Sequence, residues 1–385
     1  MKVVIAAVSA PMHMNGVSRH AANLARALLQ TSVVSKVHFV AGIWQKEMFR
    51  QACELNDPRL HMHFVDLMDA NLSRLVWYYR ELPHVAAQLE ADVVHFAYPA
   101  PMQSAAYRCA TVLSLHDLYP FDIPENFGRL SRPFTQALMR RCVKRVDAVA
   151  CVSEATQTRL EKLFPAQARK TVTIPNVVER DRSIRMDRFA AIPDDRTFFL
   201  CVAQHRANKN VPLAIRIFGR ILRKRMIPCS SQLVVVGIEG PDTRAIQAEI
   251  SELRLAANVL LLSGLSDAEL QWCYRHCRLL LAPSKIEGFG LPIGEALLAG
   301  CPVVCSDIPA FREVGGDRCH YVRWGEGLLQ EYENAIRAVL ESPRPNPVSL
   351  PDFSLRTIGN KYVSLYETLA CSGVSEFWYA TATRT

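Results

Sequence analysis

The feature that most constrains this chain is an alternation of short, apolar, β-rich runs with helical stretches, and it occurs twice. The first set of runs is Lys2–Val8, Val37–Ala41, Asp92–Phe96, Thr111–Leu115, Ala148–Val152 and Val172–Ile174. A polar segment without a clear period, 179–196, follows, and the pattern then restarts with Phe198–Ala203, Leu233–Gly237, Val259–Leu262, Leu279–Ala282, Val303–Cys305 and His320–Val322. A parallel neighbour can be reached only by a long crossover, which a helix supplies, so strands separated by helices predict parallel sheets. The expected architecture is α/β, with two doubly wound domains facing a cleft. In such sheets ligands collect at the carboxyl ends of the strands, so residues at strand ends are the ones to examine.

The length of 385 residues suits two or three domains, and 50% apolar residues suffice for real cores. No apolar run approaches the roughly 18 residues that span a bilayer, which predicts a soluble chain. Met1–Val8 resembles the apolar part of a secretion signal, but a turn and an amphipathic helix follow directly, so a first strand is the expectation. The 12 cysteines are scattered, many inside strand-like runs, as in reduced cytosolic proteins. Cys273, His276 and Cys277 share a helical face; without further paired ligands nearby, a packed helix is the expectation rather than a metal site.

Charge is uneven. Residues 1–175 hold 20 Lys/Arg against 14 Asp/Glu, and the remainder 25 against 23. Within 129–146 lie Arg129, Arg132, Arg140, Arg141, Lys144 and Arg145 with no acid, while Phe134, Leu138, Cys142 and Val146 recur every four residues. This reads as an amphipathic helix whose basic face is either solvated or attached to an anionic membrane. Nucleic acid is not an expected partner, since no aromatic-interleaved basic strand accompanies the charge. The aromatic run Trp77-Tyr78-Tyr79 fits a core helix or an acceptor groove.

The richest stretch is 284–296, SKIEGFGLPIGEA, between the apolar run 278–283 and a helix that starts near Pro292 and stops near Gly300. Free amides at the helix start bind phosphate, and Gly288 and Gly290 let the backbone approach without a Cβ. Glu287 precedes the helix and Glu295 lies within it, so one carboxylate could hold sugar hydroxyls and the other ribose hydroxyls. Three further strand ends carry chemistry. A turn containing Gly16 follows the first strand. His116 and Asp117 end the run 112–115, where a neutral imidazole can exchange hydrogen bonds with a sugar. Arg206 and Lys209 follow the first strand of the second domain, where a planar fork and a point charge can neutralise an anion. Each place also has a plain reading, as a βα turn or a solvated basic loop. Ser153 reads first as a helix N-cap, and Asn176 ends the last run of the first set.

Glu287 and Glu295, in EGFGLPIGEAL followed by AGCPVVCSD, resemble the E-x7-E signature of the retaining GT-B glycosyltransferases of family 4, the group 1 glycosyl transferases, mannosyltransferase-like members among them. The resemblance runs from about Met1 to Leu369. It implies an N-terminal acceptor-side domain over 1–178, a nucleotide-sugar-binding domain over 179–352 and, over 353–385, a helix and tail that cross back onto the first domain. It further implies transfer of a hexose, mannose or similar, from a nucleoside-diphosphate sugar to a glycan or lipid-linked acceptor in surface polysaccharide synthesis, with the anomeric configuration kept. His116, Asp117 and Glu287 would be catalytic; Gly16, Arg206, Lys209, Gly288, Phe289, Gly290, Leu291 and Glu295 would bind the donor. No cofactor and no metal are expected, and the location would be cytoplasmic, with possible attachment to the cytoplasmic face of a membrane through 129–146. The chain departs from the family in having one glycine in its first loop and in lacking Gly-Arg before Lys209.

Other classes remain open on the residues alone. Gly288, Gly290 and Gly294 after a strand, with Asp307 ending the next, could belong to a dinucleotide oxidoreductase. A nucleotide-sugar epimerase, a phosphorylase or a catalytically silent membrane-associated subunit would share the fold.

Overall fold

A computed structural model describes residues 1–371 except 11, 54–55, 68–70, 130, 180–191 and 193–195. Most of the polar segment 179–196 and the tail after 371 therefore lie outside the described residues. The chain forms two compact units. One comprises Met1–Asp122, Phe127–Val177 and the chain from Pro351; the other comprises Ile123–Asn126 and Val178–Leu350.

The first unit holds seven strands, β1 (Lys2–Ala6), β2 (Lys36–Gly42), β3 (Leu60–Val65), β4 (Val93–Phe96), β5 (Ala110–Leu115), β6 (Ala148–Cys151) and β7 (Thr171–Thr173). All pair in parallel, in the order β3-β2-β1-β4-β5-β6-β7. The chain moves outward from β1 to β3, then returns to the other side of β1, which makes the ends of β1 and β4 a switch point. β3 is absent from the strand pattern expected above. It alternates Leu60, Met62 and Phe64 with His61 and His63 on an edge, so it lacks the continuous apolar run of a strand covered on both faces.

Alternate side chains of this sheet enter two cores. Val3, Ile5, Val37, Phe39 and Val112 face the helices Gly16–Leu29 and Leu355–Cys371. Val4, Ala6, Val40, Val94 and Phe96 face the opposite way, toward Trp77, Tyr78, Met139, Cys142 and Val143. Trp77 and Tyr78 are thus core, whereas Tyr79 is exposed. The basic segment forms the helix Ser131–Arg145 and buries Met139, Cys142 and Val143. Phe134, assigned by its spacing to the apolar stripe, is 55% exposed. A strict four-residue repeat advances about 40° per step on a helix, so Phe134 lies about 120° around from Val146.

The second unit holds β8 (Phe198–Val202), β9 (Gln232–Val236), β10 (Val259–Leu262), β11 (Leu280–Ala282), β12 (Val303–Ser306) and β13 (His320–Val322). Their order is β10-β9-β8-β11-β12-β13, again all parallel, with the switch point between β8 and β11. Among the described residues no helix is long and apolar enough to cross a membrane, and the described cysteines are free thiols.

Helix Leu355–Cys371 buries Ile358, Tyr362, Tyr366 and Leu369 in the same core as Ala21, Leu24, Ala25 and Leu28. The backbones come close enough that a Cβ on Gly359 would stand 2.2 Å from the Ala27 carbonyl oxygen. Alanine normally favours a helix over glycine by about 1 kcal/mol. Here Gly359→Ala is expected to destabilise the protein instead, by about 1–3 kcal/mol of overpacking. Urea denaturation measures it, and an unchanged or raised stability would show that the two helices are not in backbone contact.

Candidate active site

Two loops leave the second sheet at its switch point, 203–210 after β8 and 283–290 after β11. Diverging connections open a crevice there, and the loops bring their charged residues together. Lys209 Nζ donates to both oxygens of Glu287, at 2.7 and 2.8 Å. Their side chains are 19% and 7% exposed, so the pair is shielded from bulk water and its charge-assisted bonds are strong. Ser284 Oγ donates a third hydrogen bond to Glu287, at 2.8 Å.

The backbone around the pair has special conformations. Asn210, at the start of helix Val211–Arg223, has φ 53°, a left-handed geometry that asparagine tolerates better than most residues. Gly290 has φ +110°, and a Cβ there would meet the Phe311 ring at 2.8 Å, so glycine is required twice over. Gly290 caps the helix Leu291–Leu298, whose first amides point back into the turn, and Phe289 beside it is buried. Glu295 lies one turn inside that helix, where its Oε2 accepts the Tyr274 hydroxyl at 2.8 Å. Burial, reinforced by that carboxylate, pushes the Tyr274 phenol well above its usual range and keeps it a donor. Arg206 is exposed in the same loop as Lys209. Asp307, weighed above as a ribose-binding acid, is held by Arg312 at 2.7 and 3.0 Å and by Arg323 at 3.3 Å.

In the first unit histidines gather at and beside the switch point: His20 on the helix after β1, His95 in β4 and His116 just past β5. His116 Nε2 lies 2.9 Å from the Ala97 carbonyl; a carbonyl only accepts, so Nε2 bears the proton and Nδ1 the lone pair. Desolvation pulls the His116 pKa down to about 4, leaving the ring neutral at neutral pH. The ring of His20 meets it edge-on, with centroids 4.7 Å apart. A buried chain of hydrogen bonds runs on from His20: Nδ1 to Asn176 Oδ1, and Nε2 to Ser114 Oγ, both 2.7 Å. His95 continues it, with Nε2 2.7 Å from Ser114 Oγ and Nδ1 2.6 Å from the Tyr366 hydroxyl. With Asn176 Oδ1 accepting, one proton per bond satisfies the chain: Tyr366 donates to His95, His95 to Ser114, Ser114 to His20 and His20 to Asn176. Asp117 Oδ1 accepts the Tyr119 amide at 3.0 Å, which folds the strand end into a turn. Asn15 caps the first helix through the Ser18 amide, and a Cβ on Gly16 would meet nothing within 4 Å, so nothing in the described fold requires glycine there.

The structure thus joins Lys209 to Glu287 and sets Gly288 to Leu291 at the start of their helix. Glu295 faces Tyr274, a partner the sequence reading lacked. Ser153 is a helix N-cap, accepting the Thr156 amide at 3.0 Å. Cys273 is buried in the helix Asp267–His276 and Cys277 is buried just past its end, while His276 is exposed and stacks on Trp272. Cys277 Sγ lies 3.2 Å from Cys301 Sγ. Among the described residues no three His, Cys, Asp or Glu gather to hold a metal. Asn126, Asn208, His20, His95 and Ser114, all missed from the sequence, are polar residues singled out by their tertiary hydrogen bonds; all but Asn126 are buried.

Residues 14–182 match the family described as Glycosyltransferase Family 4, and residues 184–348 the family described as Glycosyl transferases group 1. The chain is 28% identical over 255 residues to the O-antigen chain mannosyltransferase RfbU of Salmonella typhimurium, an alignment that covers 66% of this chain and 65% of that protein. It is 22% identical over 334 residues to the O-antigen chain mannosyltransferase B of Escherichia coli, covering 82% of this chain and 85% of the relative. The fold is similar to that of Anabaena Alr3699/HepE, solved in complex with UDP and glucose, with a TM-score of 0.65 at 16% identity over 95% of this chain and 99% of the other.

The neutral histidines make stability depend on pH. Desolvation lowers His95 to about 3 and His116 to about 4, and desolvation with the neighbouring histidines holds His20 well below its usual value. An unfolded chain takes up these protons near pH 6.5, before the folded one does. Their contribution to stability is therefore complete above about pH 6.5 and is lost as pH falls toward 4, by about 1.4 kcal/mol per pH unit for each histidine. Urea titrations between about pH 7.5 and 5 should show this fall, and a shallower one for His20→Gln. A flat profile would mean that these rings are not buried as neutral groups.

Proposed function

Because the chain belongs to the family 4, group 1 glycosyltransferases of the GT-B fold, we propose that it transfers a hexose, mannose or similar, from a nucleoside-diphosphate sugar to a glycan or lipid-linked acceptor, keeping the anomeric configuration. The observation that carries this reading is the Lys209–Glu287 pair at the switch point of the second sheet. Two relatives being O-antigen mannosyltransferases supports mannose and a surface polysaccharide.

The donor diphosphate sits against the turn 288–290 and the amides that open helix Leu291–Leu298, where free N–H groups and the helix dipole favour an anion. Lys209, already oriented by Glu287, meets the negative charge that grows on the leaving diphosphate, and Arg206 adds a planar fork, so no metal is needed. Glu287 holds hydroxyls of the transferred sugar. Glu295, with its carboxylate fixed by Tyr274, holds the ribose hydroxyls. The neutral Nδ1 of His116 accepts a sugar hydroxyl, and Asp117 completes the strand end. Gly16 leaves open space for backbone approach, and a same-face displacement, in which the leaving phosphate takes the acceptor proton, accounts for retention.

Glu295→Ala is expected to weaken donor binding and Glu287→Gln to lower turnover chiefly, each by about 1.5–3 kcal/mol. Lys209→Ala should lower the rate by about 100-fold or more. Activity with GDP-mannose, or with whichever nucleotide sugar is turned over, should survive EDTA. Steady-state and single-turnover rates on folded variants decide this; loss of all activity in chelator, restored by magnesium, would contradict the metal-free donor site.

We also propose a cytoplasmic protein that reaches a lipid-linked acceptor through the helix Ser131–Arg145. Two of its cations are engaged internally: Arg140 lies over the Phe121 and Phe164 rings at 5.8 and 5.9 Å, and Arg145 donates to the Met102 carbonyl at 2.8 Å. Arg141 and Lys144, with the exposed Phe134, form the membrane-facing set, each cation contributing about 1 kcal/mol near an anionic surface, whereas Arg132 lies half a revolution from Arg141, on the side of the buried Met139 and Val143. Flotation with anionic but not neutral vesicles is expected, weakened by salt and by Arg141→Gln with Lys144→Gln. Equal flotation with both kinds of vesicle would leave the basic face simply solvated.

A further inference from the structure

Between Lys209 and the rest of its unit lies a short relay of amides. Asn126 Oδ1 accepts the Ala207 backbone N–H at 3.1 Å, and Asn126 Nδ2 donates to Asn208 Oδ1 at 3.0 Å. Asn208 Nδ2 is directed at the Ile286 carbonyl at 3.4 Å, and the Asn208 carbonyl accepts the Lys285 N–H at 2.8 Å. The relay has one possible sense. It begins at a backbone N–H, which can only donate, and ends at a backbone carbonyl, which can only accept, so both amides are fixed against flipping. Asn208 is fully buried. It stands immediately before Lys209, while Ile286 stands immediately before Glu287. The left-handed Asn210 fixes the chain on the other side of Lys209.

We propose that Asn208 and Asn126 are positioning residues, which act by riveting the loop that carries Lys209 to the loop that carries Glu287. The inference rests on the donor-site reading for its functional consequence, but the rivet itself is a property of the free protein. Only a side chain that accepts and donates at once serves at either position. A carboxylate at 126 keeps the bond from Ala207 but opposes oxygen to the Asn208 oxygen; turning Asn208 to relieve this would oppose its oxygen to the Ile286 carbonyl. Alanine at 208 takes away the partner of the Ile286 carbonyl and of Asn126 Nδ2, while Asn126 Oδ1 keeps the Ala207 N–H. In either case the two loops keep only the backbone bond from Lys285 to Asn208, and Lys209 loses its fixed approach to Glu287.

The test has a ligand-free arm and a ligand arm. Asn126→Asp is the principal variant because Asn126 is only half-buried; Asn208→Ala is the second, and both are checked for folding by circular dichroism. In the free protein, amine acylation of Lys209, followed by peptide mass spectrometry, should be several-fold faster in the variants than in wild type, with other lysines unchanged. An unchanged rate at Lys209 in folded Asn126→Asp overturns the proposal. In the second arm, calorimetry with GDP and with UDP should show affinity about tenfold weaker in Asn126→Asp. The same substitution made on Lys209→Ala should then cause no further loss, because its effect passes through Lys209. A further loss of equal size in the Lys209→Ala background would make the relay a general structural element and overturn the proposal. Faster acylation without binding of either nucleotide would support the rivet and count against the donor-site reading alone.

Discussion

Parallel pairing is the constraint on which the rest of this molecule depends. Every strand in both sheets runs the same way, so each connection must cross a face, and helices must cover both faces. The sheets are therefore apolar on both sides, and polar chemistry is driven to the strand ends. Reversal of strand order then selects one pair of ends in each sheet, β1 with β4 and β8 with β11, where adjacent connections part and leave room. His20 and His95 of the first unit and the Lys209–Glu287 pair of the second stand at or beside those places, with His116 one strand further on, just past β5.

Polar groups taken out of water at those ends are costly unless each has its partner. The two units meet that cost differently. In the second, a cation, a carboxylate and a serine hydroxyl satisfy one another, and two asparagine amides hold their loops. In the first, neutral rings and hydroxyls form a chain in which one proton per bond suffices, and its far end is Tyr366 on helix Leu355–Cys371. Neutrality matters there: a charge on His20, His95 or His116 would be poorly solvated, and a second would be repelled by the first. A strand end that keeps its imidazole uncharged offers a lone pair at neutral pH.

Much of this was legible in the sequence, for identifiable reasons. Strands buried on both faces are continuous apolar runs, so twelve of the thirteen were readable, and β3 escaped because its histidines alternate with its apolar residues on an edge. The turn 284–296 was readable because glycine, proline and acid occur there at spacings that local geometry dictates. Phe134 was placed wrongly because a four-residue repeat drifts around a helix, and burial depends on the drift. Asn126 and Asn208, 82 residues apart in sequence, carry no local signal at all. Their pairing is a product of tertiary structure, as is the attachment of Tyr274 to Glu295.

The first unit is not one stretch of chain. Its core includes Ile358, Tyr362, Tyr366 and Leu369, which are made after the whole of the second unit. A ribosome therefore releases a first unit that lacks one wall, with the alanine and leucine face of helix Gly16–Leu29 uncovered, while the second unit completes its own sheet. During that interval the nascent chain presents an apolar surface of the kind that aggregates or recruits chaperones. The order of synthesis makes the last helix the closing piece of the half that was begun first.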